Sequence, residues 1–146
     1  MLKHKISIIM PCHNEGSEIY RNIHETIKTM NELRPYNIDY EIILVDDGST
    51  DKTVKEIKLI KSNKVKLVSY YPNRGKGHAI KTGFLHSTGD LVTFVDSDLE
   101  IHPRQLLRFV SYLYEYDADI VIGNKRHPDS KVTYPLKRRV LSTLYH

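Results

Sequence analysis

The chain has 146 residues, 40% of them hydrophobic and 27% charged, with a formal net charge of +4. That length accommodates one domain with a real core, and the composition is ordinary for a globular protein. No apolar run approaches the ~18 residues of a membrane span, the N-terminal MLKHKISIIMPCHNE is too short in its apolar part for a secretory signal, and a single cysteine, Cys12, excludes an internal disulfide and fits a reducing cytoplasm.

The first apolar run, Lys5–Met10 (KISIIM), reads as a buried strand. Ser17–Leu33 carries Ile19, Ile23, Ile27 and Met30 at helical spacing. Glu15 and Glu18 stand near its start, where the helix dipole favours anions. Tyr40–Val45 (YEIILV) predicts a second strand, and Thr50–Ile60 a helix with Val54, Ile57 and Ile60 on one face. Val65–Tyr70 is a third strand and Gly77–His86 a helix closed by Ser87-Thr88-Gly89. Leu91–Val95 is a fourth strand. Pro103 suits the first turn of a helix whose stripe is Leu106, Val110 and Leu113. Ile120–Ile122 is read as a short fifth strand and Leu136–Tyr145 as a last helix.

Near-continuous apolar strands alternating with amphipathic helices predict an α/β fold: a mainly parallel sheet with helices on both faces. In such sheets ligands bind beyond the carboxyl ends of the strands, at a switch point. The segments after the strands are Pro11–Gly16, Asp46–Asp51, Tyr71–Gly77, Asp96–Glu100 and Gly123–Arg126, all polar. The first, second and fourth are acidic, and the third and fifth basic. Acid and base at one edge suit a metal-bound phosphate compound. Each segment alone also reads as an ordinary turn or helix cap; their common placement at strand ends favours function.

Asp96, Asp98 and Glu100 fall within five residues just past the fourth strand. Carboxylates that close repel one another unless a cation lies between them. Asp96 and Asp98 can reach one hard cation, and Mg²⁺ or Mn²⁺ takes one or two carboxylates and completes its shell with water and substrate phosphates. Glu100 would add a third contact. The eight histidines are scattered without zinc-type spacing. There is no P-loop, and Gly75-Lys76-Gly77-His78-Ala79-Ile80 lacks the third glycine of a dinucleotide fingerprint.

The series IIMPCHNEG, ILVDDGSTD, NRGKGHAIKTGF and TFVDSDLE resembles family 2 glycosyltransferases of GT-A (Rossmann-like) fold. Within them it is most similar to dolichyl-phosphate or polyprenyl-phosphate mannosyl- and glucosyltransferases. The likeness runs from about residue 5 to 126 and carries expectations with it. Pro11, Asn14 and Glu15 would line the nucleotide pocket; Asp46 and Asp47 would contact base and ribose; Lys76 would lie near the donor. Asp96 and Asp98 would hold Mg²⁺ or Mn²⁺ and the diphosphate, with Glu100 as the third metal contact. Lys125 or Arg126 would supply catalytic positive charge, and Arg138 or Arg139 would meet the acceptor phosphate.

The implied reaction moves a hexose from UDP-glucose or GDP-mannose to a polyprenyl or dolichyl phosphate with inversion. Two other readings stay open: a saccharide acceptor, or a nucleotide-sugar-binding module without catalysis. The acidic loops disfavour a nucleic-acid partner. Relatives are usually longer, so residues 1–146 are read as one GT-A domain that is a fragment, a minimal form, or one that works with a partner subunit or membrane domain. Residues 125–139 concentrate Lys and Arg against a single Asp, which suits a solvated tail or the anionic cytoplasmic face of a membrane.

Overall fold

The computed structural model describes residues 4–32 and 38–124. Its elements are β1 (His4–Cys12), α1 (Glu18–Asn31), β2 (Ile38–Asp47), α2 (Thr53–Lys58), β3 (Val65–Tyr70), α3 (Lys76–Leu85), β4 (Leu91–Phe94) and α4 (Gln105–Glu115). The chain resolves into two compact units, Met1–Arg108 and Phe109–His146, and the sheet belongs to the first. The expected helix at Leu136–Tyr145 lies outside the described residues.

The four strands form one parallel sheet in the order β3-β2-β1-β4. The chain winds outward from β1 to β3, then returns to place β4 on the other side of β1. The switch point therefore lies between β1 and β4. Strand pairing sorts the apolar residues onto two faces. Ile6, Ile8 and Met10 stand level with Tyr40, Ile42 and Leu44, and Tyr40 reaches α1 by donating its hydroxyl to Asn31 Oδ1 at 3.0 Å. On the opposite face Ile9, Ile43 and Val45 pack with Ala79 of α3. Both faces are thus covered by helices, as the unbroken apolar runs require. α3 lies close to the sheet because Gly83 has no side chain; a Cβ there would overlap Ile9 Cγ2.

Two departures from the sequence reading have physical causes. The first two strands run on to Cys12 and Asp47, because Cys12 pairs with Asp46 in a register that carries the ladder past the apolar residues. Pro11, Asp46 and Asp47 are therefore strand residues, not loop residues. The fifth strand, Ile120–Ile122, is not formed: these residues lie in irregular backbone, and Ile120 and Ile122 are 79% and 80% exposed. Three β-branched residues that pair with no strand among the described residues cannot hold an extended conformation as a strand.

β4 ends for a local reason. The Val95 N–H donates to Ile9 O at 2.9 Å. In a parallel ladder the next bond would run from the N–H of residue 11 to Val95 O. Residue 11 is proline and has no N–H, so the ladder stops and Asp96–Asp98 leave the sheet.

At the α3–β4 turn, Glu41 is the hub. It accepts from Ser7 Oγ at 2.6 Å and from the Thr88 N–H at 2.7 Å, and pairs with Lys5 at 3.0 Å. Burial pushes its pKa up, but Ser7, Thr88 and Lys5 outweigh that and bring it down to about 2. A folded pKa below the ordinary 4.5 means that Glu41 stabilises fully above about pH 4.5 and loses its contribution as pH falls through about 2. We expect Glu41→Gln to cost roughly 1–3 kcal/mol at pH 7. Urea unfolding of both proteins should show this gap closing in acid.

Candidate functional site

Beyond the carboxyl ends of β1, β2, β3 and β4 lies a cleft of about 330 Å³. Pro11, His13, Glu15, Asp47, Lys76, Asp96 and Asp98 line it, with Cys12, Asn73, Gly75, Ala79 and Ser97. It opens at the switch point, where Pro11 ends the β1–β4 ladder.

Its walls are laced by hydrogen bonds between consecutive loops. His13 Nδ1 lies 2.9 Å from Asp47 O, and Nε2 lies 3.1 Å from Asn14 Nδ2. A carbonyl only accepts, so Nδ1 donates to Asp47 O and Nε2 accepts from the Asn14 amide. The Asn14 amide orientation is set in turn, because its Oδ1 accepts from the Thr50 N–H at 2.9 Å. The Asn14 N–H donates to Ser49 Oγ at 2.9 Å, and the Gly16 N–H to Asp51 Oδ2 at 2.9 Å. Asn14 adopts φ 56°, a left-handed conformation that asparagine tolerates better than most residues.

The adjacent aspartates of β2 point to opposite sides, as strand alternation demands. Asp46 is buried, accepting from Ser69 Oγ at 2.5 Å and from the Ser49 N–H at 3.1 Å. Asp47 lines the cleft and accepts from the Arg74 N–H at 2.7 Å and the Gly75 N–H at 2.9 Å. Burial pushes its pKa up, but the Arg74 amide, the Tyr70 hydroxyl, the Gly75 amide and His13 outweigh this and hold it below the usual carboxylate range. Gly48 completes the joint: at φ 70°, a Cβ on it would stand 2.6 Å from Asn73 N, so no other residue lets the 72–75 backbone approach this closely.

Cys12 is buried and donates weakly to Val45 O at 3.6 Å. Burial, followed by the charges of Asp46, Glu15, Asp47 and Asp51, pushes its pKa up to about 12. It is a thiol at neutral pH and no nucleophile.

On the β4 side, Ser97 Oγ donates to Glu15 Oε1 at 3.0 Å and Ser97 O accepts from Asn22 Nδ2 at 2.8 Å. These bonds tie the segment after β4 to the β1–α1 loop and to α1. Asp98 Oδ1 accepts from the Glu100 N–H at 2.9 Å, closing a tight turn around Leu99 at φ 56°. Lys76 Nζ sits 2.5 Å from Asp96 Oδ1.

Of the residues expected at a nucleotide and metal site, the structure brings Pro11, Glu15, Asp47, Lys76, Asp96 and Asp98 together in the cleft. Asn14 and Asp46 stand behind it as loop fasteners, and Glu100 is not on its wall. Among the described residues no three His, Cys, Asp or Glu side chains gather into a metal-binding group, so Asp96, Asp98 and Glu100 do not form a ready three-carboxylate site. Two carboxylates suffice for Mg²⁺ or Mn²⁺ when substrate phosphate supplies further oxygens. Asp96 already draws a cation, the Lys76 ammonium, and with Asp98 it offers hard oxygen donors; the pair fits such an ion. Lys125, Arg126, Arg138 and Arg139 lie outside the described residues. Sequence reasoning missed His13, Asn73 and Ser97. All three lie in segments that follow a strand, Pro11–Gly16, Tyr71–Gly77 and Asp96–Glu100, but nothing in the sequence marked them within those segments.

The parallel sheet with a cleft at its switch point has the α/β fold of the GT-A glycosyltransferases among its structural neighbours. Residues 7–144 match the family model "Glycosyl transferase family 2", and the chain belongs to that family. It is 40% identical over 144 residues to CsbB of Bacillus subtilis (strain 168), covering 97% of this chain and 41% of that protein. It is 33% identical over 131 residues to the dolichyl-phosphate beta-glucosyltransferase of Dictyostelium discoideum, covering 84% and 40%. Among solved structures, the mannosyltransferase PcManGT of Pyrobaculum calidifontis, in complex with GDP-Man and Mn²⁺, superposes with a TM-score of 0.63 at 27% identity. That match covers 77% of this chain and 33% of that one. The chain therefore spans about two fifths of the length of these curated relatives.

Because Asp47 is ionised in the fold at lower pH than in the unfolded chain, its hold on the 74–75 backbone persists at neutral pH and is lost as pH falls through its depressed pKa. Asp47→Ala should speed amide exchange at Arg74 and Gly75 by roughly 10–100-fold at pH 7, given about 1.5–3 kcal/mol for hydrogen bonds to a charged group. Hydrogen exchange followed by NMR measures this directly.

Proposed function

We propose that this chain is the donor-binding part of a hexosyltransferase that moves a sugar from a nucleoside-diphosphate hexose to a polyprenyl phosphate. The observation that carries this reading is the convergence of Asp96, Asp98, Lys76 and the start of α3 on one cleft at the switch point. A diphosphate suits such a place: a helix N-terminus favours anions, Lys76 adds a fixed positive charge, and the two aspartates would hold Mg²⁺ or Mn²⁺ against it. The ion would supply Lewis-acid stabilisation of the leaving phosphate. The names of the Dictyostelium relative and of the ligands of the Pyrobaculum structure support a lipid-phosphate acceptor and a nucleotide-sugar donor.

In this mechanism the residues of the chain mostly bind and orient. Pro11, His13 and Asp47 form the wall for the nucleoside, with Asp46 and Asn14 holding that wall from behind. Glu15 fixes Ser97 and with it the height of the Asp96–Asp98 segment. An oxygen of the acceptor phosphate attacks the anomeric carbon from the face opposite the leaving group. The bond from that carbon to the diphosphate oxygen breaks, its electrons leave with the nucleoside diphosphate, and configuration inverts. The nucleophile is already an anion, so no general base is needed. Lys76 neutralises charge as it grows on the leaving diphosphate, and Lys125, Arg126, Arg138 and Arg139 are the proposed grip on donor and acceptor phosphates.

The acceptor lies in a membrane, and residues 125–139 would meet its surface, each Lys or Arg contributing about 1 kcal/mol near anionic lipid. No helix among the described residues is long and apolar enough to cross a membrane.

Asp98→Ala should lower sugar transfer by about 10²–10³-fold, while far-UV circular dichroism stays unchanged. The assay is incorporation of radiolabelled hexose from UDP-glucose or GDP-mannose into undecaprenyl phosphate. Full turnover by the variant rejects the role of Asp98. In vesicle sedimentation, binding should rise with the fraction of anionic lipid; a flat response removes the membrane-contact part of the reading.

A further inference from the structure

The Lys76–Asp96 pair raises a problem for the site that contains it. The ammonium lies 2.5 Å from Asp96 Oδ1, with the side chains 55% and 42% exposed. A divalent ion held by Asp96 and Asp98 needs the same carboxylate. The arriving ion repels the Lys76 ammonium and competes with it for that carboxylate. The lysine must swing away, and its long, half-exposed stem allows that. It stands at the first position of α3, directly after Gly75 at φ 89°, so it swings from a fixed root on the cleft wall. The only new anion that comes with the donor is the diphosphate.

We infer that Lys76 is an exchangeable counter-ion. Without donor it neutralises Asp96 and competes with the divalent ion; with donor its ammonium moves onto the diphosphate and frees Asp96 for the metal. The inference rests on the reading of the cleft as a metal–diphosphate site and adds a coupling to it. Metal and nucleotide bind together because each removes an obstacle to the other, and thermodynamic linkage makes the effect reciprocal. The ion pair is half exposed, so the competition is modest. An exposed pair worth up to about 1 kcal/mol, together with relief of charge repulsion, corresponds to roughly a 3–10-fold change in metal affinity.

The test is Mn²⁺ binding followed by electron paramagnetic resonance, with no turnover involved. Wild type, Lys76→Met, Lys76→Arg and Asp96→Asn are titrated with Mn²⁺ alone and with UDP or GDP, and Mn²⁺ bound by free nucleotide is subtracted from a titration without protein. Without nucleotide, Lys76→Met should bind Mn²⁺ about 3–10-fold more tightly than wild type. Nucleoside diphosphate should tighten Mn²⁺ binding to wild type by a factor at least threefold larger than in Lys76→Met. Lys76→Arg keeps the charge and should follow wild type, which separates charge from any change in folding. Equal or weaker Mn²⁺ binding by Lys76→Met, alongside a wild-type site that Asp96→Asn abolishes, overturns the counter-ion role and leaves the metal–diphosphate reading intact. Mn²⁺ binding that Asp96→Asn does not change overturns both.

Discussion

Proline 11 has no amide hydrogen, and the cleft opens where that hydrogen is missing. β1 and β4 pair until Val95 donates to Ile9; the bond that should come next has no donor. The two strands part there, and the chain after β4 is released to turn over the sheet edge. Because the strand order reverses at this same place, the opening lies where four loops of a parallel sheet can contribute side chains. A residue with a donor at position 11 would allow the ladder to continue and carry Asp96 further into the sheet.

Release from a ladder gives space but not shape. The loops are shaped by side-chain acceptors that take up backbone N–H groups. Asp47 holds the 74–75 backbone, Asp51 holds Gly16, Asn14 holds Thr50, and Asp46 holds Ser49. Two of these side chains, Asp46 and Asp47, are buried carboxylates. Ionised carboxylates survive such burial only because N–H and O–H groups surround them. The fastening is mutual: each carboxylate is tolerable because it organises a loop, and each loop is ordered because it satisfies a carboxylate.

Charge balance on the other wall is of a different kind. Asp96 and Asp98 are exposed enough to exchange partners with solvent and ligands, while Asp46 and Asp47 are not. The site thus combines a buried acidic frame, held by the protein's own N–H and O–H groups, with a more exposed acidic rim whose counter-ion is one lysine. A frame that cannot reorganise suits recognition of a nucleoside. On the proposed reading, the exposed rim is the part that would meet a diphosphate and a metal.

By itself the sequence determined the alternation of strands and helices, the parallel sheet, and the segments that meet at its edge, because apolar runs and helical spacing are local signals. It also determined the acid–base character of the rim, since Asp96, Asp98 and Lys76 need only follow strands to reach it. Tertiary structure decided which of two neighbouring aspartates faces the cleft: Asp46 and Asp47 are alike in sequence, and only the register with β1 and the approach of residues 73–75 separates them. It likewise turned Asn14 into a fastener and His13 into a wall, through bonds to residues more than thirty positions away. The expected strand at Ile120–Ile122 shows the converse limit, because three apolar residues carry the composition of a strand but pair with no strand among the described residues. Hydrogen bonds between distant loops leave no periodicity in the chain, so the pairings that shape this site exist only in the folded molecule.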